Sequence, residues 1–238
     1  STIYAVKPPD FFGMVPKILA KEGAEVKAGT PLFFDKKREE VKFTSPVSGE
    51  VVEIRRGLKR RIMEVRVLAD GEQRYEEFTP WSVGDSREQL KTTMLEMGLW
   101  PFIIQRPYGV VAHSEDSPKE IYVSGFDSSP LAPDMSFILQ DEKENFQYGI
   151  NALRALTDGK VHLGHRRGDT FYDFVEGVEK HSVSGPHPAG NVGVLIHHVN
   201  PINKGEVVWT VRPADVALIG RSLKAGRFLA DRIIATAG

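Results

Sequence analysis

The densest chemical signal in this sequence is Ser184-Gly185-Pro186-His187-Pro188-Ala189-Gly190. Two prolines and two glycines surround one imidazole there. Such a composition fixes backbone angles and makes a stiff loop. Loops at strand ends of α/β sheets are where ligands lie. Gly185, His187 and Gly190 are therefore a candidate ligand loop, with a purely structural turn as the competing reading. The remaining histidines offer less. His197 and His198 fall in an apolar run over 192–198 that reads as a strand, where neighbours point to opposite faces and cannot share one ion. His162 and His165 flank a strand end and read as core or edge imidazoles. No metal is expected, because the ligand spacing is missing. No Walker, HExxH, GxSxG or EF-hand pattern occurs.

Composition narrows the classes further. At 238 residues the chain has room for one large domain or two ordinary ones. Its 31 basic and 32 acidic residues leave a net charge of −1, so no global field favours nucleic acid or an anionic membrane. The one dense basic run is Arg55-Arg56-Gly57-Leu58-Lys59-Arg60-Arg61, which reads as a solvated turn or, alternatively, a docking surface. Cysteine is absent, which excludes disulfides, thiolate metal sites, iron–sulfur clusters and thiol nucleophiles on this chain. No apolar run approaches the roughly 20 residues of a membrane span. Ser1 opens without methionine and the sequence stops after an expected strand at 232–236, so a fragment of a longer protein is expected.

Two grammars of elements would position these residues. Over residues 1–75, expected strands at 15–20, 31–34, 41–43, 50–55 and 62–68 are separated by glycine turns, which predicts a compact β-barrel. Beyond a polar connector, Ser86 and Gln89 form a capping-box signature. Leu90, Met94 and Met97 follow at helical spacing and Gly98 closes the helix. A strand at 120–124, a helix at 141–156, strands at 161–163, 192–198 and 207–211, a helix at 214–224 and the strand at 232–236 complete residues 76–238. Alternating strands and helices predict a three-layer, Rossmann-like α/β domain with a largely parallel sheet.

The barrel half resembles the biotinyl/lipoyl domains, whose hairpin presents one lysine for covalent modification. Here Asp35-Lys36-Lys37-Arg38-Glu39-Glu40 occupies the hairpin tip, which reads as one residue longer and far more charged than that pattern. Lys36 and Lys37 are accordingly expected to be unmodified, on a hairpin facing solvent or a partner.

The whole chain resembles a more specific family, the A subunits of bacterial sodium-translocating NADH:quinone oxidoreductases. The carrying residues are Phe12-Gly13-Met14, Lys21-Glu22-Gly23, Asp35-Lys36-Lys37, Phe43-Thr44-Ser45-Pro46, Arg56-Gly57-Leu58-Lys59-Arg60, Gly98-Leu99-Trp100-Pro101, Arg106-Pro107 and Asp127-Ser128-Ser129-Pro130-Leu131-Ala132. Leu156-Thr157-Asp158-Gly159-Lys160, Gly185-Pro186-His187-Pro188-Ala189-Gly190 and Ala235-Thr236-Ala237-Gly238 follow in order. The resemblance implies the N-terminal half of a peripheral subunit on the cytoplasmic face of the bacterial inner membrane. Its partners would be membrane subunits of the same pump, and its substrate a quinone (ubiquinone or menaquinone). The flavin subunit of respiratory complex I and the C subunit of the Rnf complex share the implied α/β layout and carry a glycine-rich nucleotide loop after the first helix. Leu99-Trp100-Pro101-Phe102-Ile103-Ile104 stands at that place, and bulky side chains with a proline block close approach to a phosphate. No flavin and no nucleotide are therefore expected.

A quinone head needs hydrogen-bond donors and apolar or aromatic walls. Two segments offer them. Phe11, Phe12, Gly13 and Met14 place aromatic and thioether surface on what reads as the barrel's first strand, with packing of the domain interface as the alternative. Phe126, Asp127 and Ser128 offer a ring, hydroxyl and amides at the C-terminal end of a parallel strand. Two other functions compete: a lipoyl- or biotin-type carrier fused to an α/β domain, and a free-standing flavin dehydrogenase.

Overall fold

The computed structural model describes residues 2–236, so the Ala237-Gly238 end of the last motif lies outside the described residues. Alternation builds the N-terminal part. Val51, Val65 and Val67 are fully buried while Glu50, Val52 and Leu68 beside them face out, the period-two pattern of a strand with one wet face. The strands are β1 (Ile3–Val6), β2 (Pro16–Ile18), β3 (Glu25–Val26), β4 (Pro31–Asp35), β5 (Arg38–Thr44), β6 (Gly49–Arg56) and β7 (Ile62–Ala69). They form a four-stranded sheet, β1-β7-β6-β3, and a three-stranded sheet, β2-β4-β5. Leu32, Phe33, Val41 and Phe43 fill the interior, with Phe33 stacked on Phe43 at 4.9 Å. Each such side chain stabilises the fold by about 1.5–3 kcal/mol.

Two expectations for this half change. The first strand is β1, and residues 11–14 form an irregular bend after a short 3-10 turn at Pro8–Asp10, because Gly13 takes φ 75° and Pro8 and Pro9 withhold ladder donors. The hairpin tip is also shorter than expected. Asp35 pairs directly with Arg38, leaving Lys36-Lys37 as a two-residue turn.

The second part contains α1 (Arg87–Met97), β8 (Ile104–Arg106), β9 (Val110–Val111), β10 (Ile121–Ser124), α2 (Met135–Ile138), α3 (Lys143–Ala155), β11 (Val161–Arg166), β12 (Glu179–Val183), α4 (Val192–Val199), β13 (Val208–Thr210) and α5 (Pro213–Ala225). The capping box is present in full: Ser86 Oγ accepts from Gln89 N, Gln89 Oε1 accepts from Ser86 N, and Gly98 ends α1 in the left-handed region. The six-stranded sheet runs β12-β11-β10-β13-β8-β9, parallel from β12 to β13 and antiparallel at β8 and β9. Helices α3 and α5 cross closely on one side. A Cβ at Gly149 would stand 2.0 Å from Val216 O, and one at Gly220 1.8 Å from Asn145 O, so both positions require glycine. Helix α4 packs on β10 from the other side, where Leu195, Ile196, Tyr122 and Val208 form a small separate core.

The run at 192–198 is thus a helix, contrary to the strand expectation. Val192, Leu195, Ile196 and Val199 recur at helical spacing and face the sheet, while His197 and His198 are both exposed with rings 5.6 Å apart. Residues 232–236 likewise form no strand. Their segment lies along α5, tied by Arg232 to the buried Asp215 carboxylate, and has no ladder to join.

The two parts share one hydrophobic cluster, running from Phe33 and Phe43 through Met97 and Trp100 to Leu153 and Leu223. Polar contacts follow the same seam. Arg38, paired with the 1%-exposed Asp35 at 3.0 Å, donates to Val111 O at 2.7 Å, and Ser114 Oγ donates to Glu40 at 2.9 Å. The stem of the charged hairpin is therefore fixed against the second part. Lys36 and Lys37 at its tip are exposed.

Candidate functional site

Strand β10 delivers its C-terminal end to the edge where ligands collect in parallel sheets. Ser124 Oγ lies 2.8 Å from Gly190 O and 3.1 Å from Phe126 O, so the hydroxyl joins the loop after β10 to the loop before α4. Gly190 N donates to Ser128 Oγ at 2.8 Å. A Cβ at Gly190 would sit 2.4 Å from Phe126 O and 2.6 Å from Ser128 N, so only glycine permits this approach.

His187 completes the clasp. Its Nδ1 lies 3.2 Å from Ser128 Oγ. With the imidazole proton on Nε2, Ser128 Oγ donates to Nδ1 while accepting from Gly190 N. The exposed ring then presents an N–H donor. Asp127 is held below the usual carboxylate range by hydrogen bonds from Ser129, its backbone N–H at 2.8 Å among them, and by the nearby His187. The half-buried Phe126 ring lies 5.9 Å under the Arg166 guanidinium. Tyr172 OH supports the loop from below through Gly125 O at 3.3 Å. The result is a small clasp with an aromatic wall, an imidazole donor, a carboxylate and a cation.

The structure thus joins Phe126, Asp127 and Ser128 to His187 and Gly190. Gly185, at φ 142°, turns the same loop beside Ala189. It leaves Phe11, Phe12, Gly13 and Met14 elsewhere. Phe11 packs edge-on against Phe43 at 4.5 Å, Met14 packs on the core, Phe12 is 72% exposed, and Gly13 neighbours Val110 on β9. Strand β9 lies three ladder steps from β10, about 14 Å across the sheet. Ser124, Arg166 and Tyr172 carried no sequence signal as site residues, since their roles come from sheet order.

A second polar cluster lies beneath α4. Glu120 accepts from Tyr122 OH at 2.6 Å and from Asn200 at 3.1 Å. His162 stacks on Tyr122 at 4.6 Å, with Nε2 3.2 Å from the Glu120 carboxylate but off line for a hydrogen bond, and Nδ1 2.9 Å from His181 Nε2. Burial, and for His181 the facing imidazole, hold both histidines below their ordinary range. His165 contacts Arg166 O instead. Among the described residues no three His, Asp or Glu side chains are arranged to hold a metal ion.

The segment at 99–104 is interior. Leu99, Trp100 and Ile103 are fully buried, Trp100 meets Trp209 edge-on at 5.5 Å, and its indole N–H donates to Ala112 O at 2.8 Å.

Comparison with known proteins agrees with this architecture. Residues 1–70 match the family described as the NqrA N-terminal barrel-sandwich hybrid domain, and residues 85–228 match the NqrA second alpha/beta domain. The chain is similar to proteins named as the A subunit of the Na(+)-translocating NADH-quinone reductase. It is 37% identical to that of Yersinia pseudotuberculosis serotype O:1b over 233 residues, covering 96% of this chain and 52% of the relative. It is 35% identical to that of Neisseria meningitidis serogroup A over 241 residues, covering 100% and 54%. For Vibrio vulnificus the identity is 35% over 240 residues, with the same coverage. The chain spans about half the length of the curated relatives it matches. With both of its parts matched in order and at these identities, the chain belongs to the NqrA family.

Proposed function

We propose that this chain serves as part of the A subunit of a sodium-translocating NADH:quinone reductase, and that the clasp of residues 126–128 with 187–190 receives the quinone head. The names of its relatives support the first statement. The second rests on one observation, the exposed His187 imidazole held by Ser128 Oγ on the loop that carries Phe126. A quinone carbonyl becomes more negative as electrons arrive, and a fixed donor stabilises that charge more than it stabilises the neutral substrate. Phe126 supplies a face for stacking, and Arg166 limits the freedom of that face. Phe11, Phe12, Gly13 and Met14 are the secondary candidate, with Phe12 as the exposed ring.

On this reading the chain is a peripheral component at the cytoplasmic face of the bacterial inner membrane, partnered by membrane subunits. Among the described residues no helix is long and apolar enough to cross a membrane. We assign it neither flavin nor iron–sulfur cluster. Buried Leu99, Trp100 and Ile103 leave no open amides for a phosphate at the place of a nucleotide loop, and the chain has no cysteine. We divide the chain at residues 1–75 and 76–238, within the short connector over which the contacts pass from the barrel, where Glu76 N donates to Ala28 O, to the second part, where Phe78 N donates to Gly226 O beyond α5. The carrier alternative is disfavoured by the immobilised hairpin stem.

The test is photoaffinity labelling of the full-length protein with a short-chain quinone. Label on peptides spanning 125–131 or 184–191, protected by excess quinone and lost in His187→Ala, is the expected result. Protected label confined to other regions overturns the assignment.

A further inference from the structure

The end of β6 and the turn that leads to β7 carry Arg55, Arg56, Lys59, Arg60 and Arg61, five cations on a chain whose net charge is −1. All five are exposed, and Leu58 among them is 93% exposed, the most exposed large apolar side chain among the described residues. Arg55 reaches Glu64 at 3.8 Å, but Glu64 is also held by Arg66 at 2.7 Å. Among the described residues no carboxylate lies within ion-pair distance of Arg56, Lys59, Arg60 or Arg61. The turn is ordered rather than loose. Gly57 N donates to Arg61 O at 2.7 Å, and Lys59 and Arg60 both hold the left-handed backbone at φ 53° and 59°, which long side chains rarely adopt. An open concavity of about 500 Å³ lies against it, where Arg55, Arg56 and Arg61 meet the apolar surface of Leu58 and Met63.

We propose that this turn docks on an anionic lipid bilayer, with the guanidinium and ammonium groups on lipid phosphates and Leu58 at the acyl boundary. Three features favour lipid over other anions. A lone leucine at the tip of a cationic turn matches an interface that is charged outside and apolar within. A nucleic acid would call for aromatic rings to stack on its bases, and residues 55–61 hold none. An acidic protein surface would have to cover Leu58 with an apolar pocket, whereas a bilayer needs no matching shape.

The experiment is co-sedimentation of the full-length protein with vesicles of phosphatidylcholine alone or of equimolar phosphatidylcholine and phosphatidylglycerol. These vesicles contain no quinone and no partner protein, so the result is independent of the function proposed above. Binding to the anionic vesicles only, weakened by salt, is expected. A basic residue near such a surface is worth about fivefold in partitioning. The variant Arg56→Gln/Lys59→Gln/Arg60→Gln/Arg61→Gln should therefore bind roughly several hundredfold more weakly. Leu58→Ser should lose about tenfold without changing the salt dependence. Circular dichroism checks that each variant is folded. Equal binding to both vesicle types, or anionic binding unchanged in the four-charge variant, overturns the proposal. So does failure of the unaltered protein to bind the anionic vesicles.

Discussion

Gly190 holds the candidate site together because three groups meet where its side chain would be. Adding one methyl forces it into Phe126 O and Ser128 N. Backbone atoms yield poorly, so Gly190→Ala should cost about 1–3 kcal/mol in urea unfolding and abolish protected quinone labelling. Ser128→Ala removes the oxygen shared by Gly190 N and His187 and should release the ring at smaller cost, about 1 kcal/mol. The pair His162 and His181 makes a prediction about pH. Their direct bond needs at least one ring to be neutral, since two imidazolium rings both donate. Glu120, Glu179, Tyr122, Lys160 and His165 are the ionisable neighbours, and the carboxylates oppose the lowering without overcoming burial. Both histidines are thus depressed in the folded state and regain a pKa of about 6.5 when unfolded. The stability they supply is full above about pH 6.5 and is lost as pH falls from there through their folded values. Urea midpoints measured down that range should decline, and His162→Gln/His181→Gln should flatten the decline. An equal slope in that variant would show that other groups set it.

The β4–β5 hairpin shows what an element gains from its neighbours. Asp35 and Arg38 close a two-residue turn, and the same guanidinium then bonds the backbone of β9. Arg38→Ala leaves a buried carboxylate without its cation and should cost about 3 kcal/mol. Lys36→Gln/Lys37→Gln at the exposed tip should change stability by no more than about 0.5 kcal/mol. Intact mass of the chain from its native host should show no acyl or biotinyl addition. Strands β2 and β4 to β7 and the caps of α1 were legible because period two and the capping box are local signals. Elsewhere the local signals tie. Val192-Gly193-Val194-Leu195-Ile196-His197-His198-Val199 is short, apolar and β-branched, so a strand and a helix fit it equally until the position of β10 chooses. Strand β12 is polar except for Val183 and lies at the sheet edge, which leaves no apolar pattern to read. Segments 126–128 and 185–190 were each legible as loops. Their meeting was not, because it depends on the order of strands far apart in sequence.

For the whole molecule, the shared cluster decides how it comes apart. Phe43 and Met97 belong to different matched domains but to one core, and Thr44 Oγ1 donates to Met97 O at 3.4 Å across the seam. Calorimetry of the chain should show one cooperative transition rather than two. A resolved low-temperature transition belonging to either part alone would contradict this. The sheet's other side behaves differently. Helix α4, eight residues long, rests on a separate core of only four buried side chains, so far less apolar contact holds it than holds α3 or α5. Its amide protons should exchange with deuterated solvent through partial opening, well before those of α3 and β11, which await global unfolding. The clasp around Gly190 feeds directly into this helix. A molecule seated there would draw its affinity partly from closing a segment that breathes, and it would report its presence as slowed exchange along α4, even at residues it never touches.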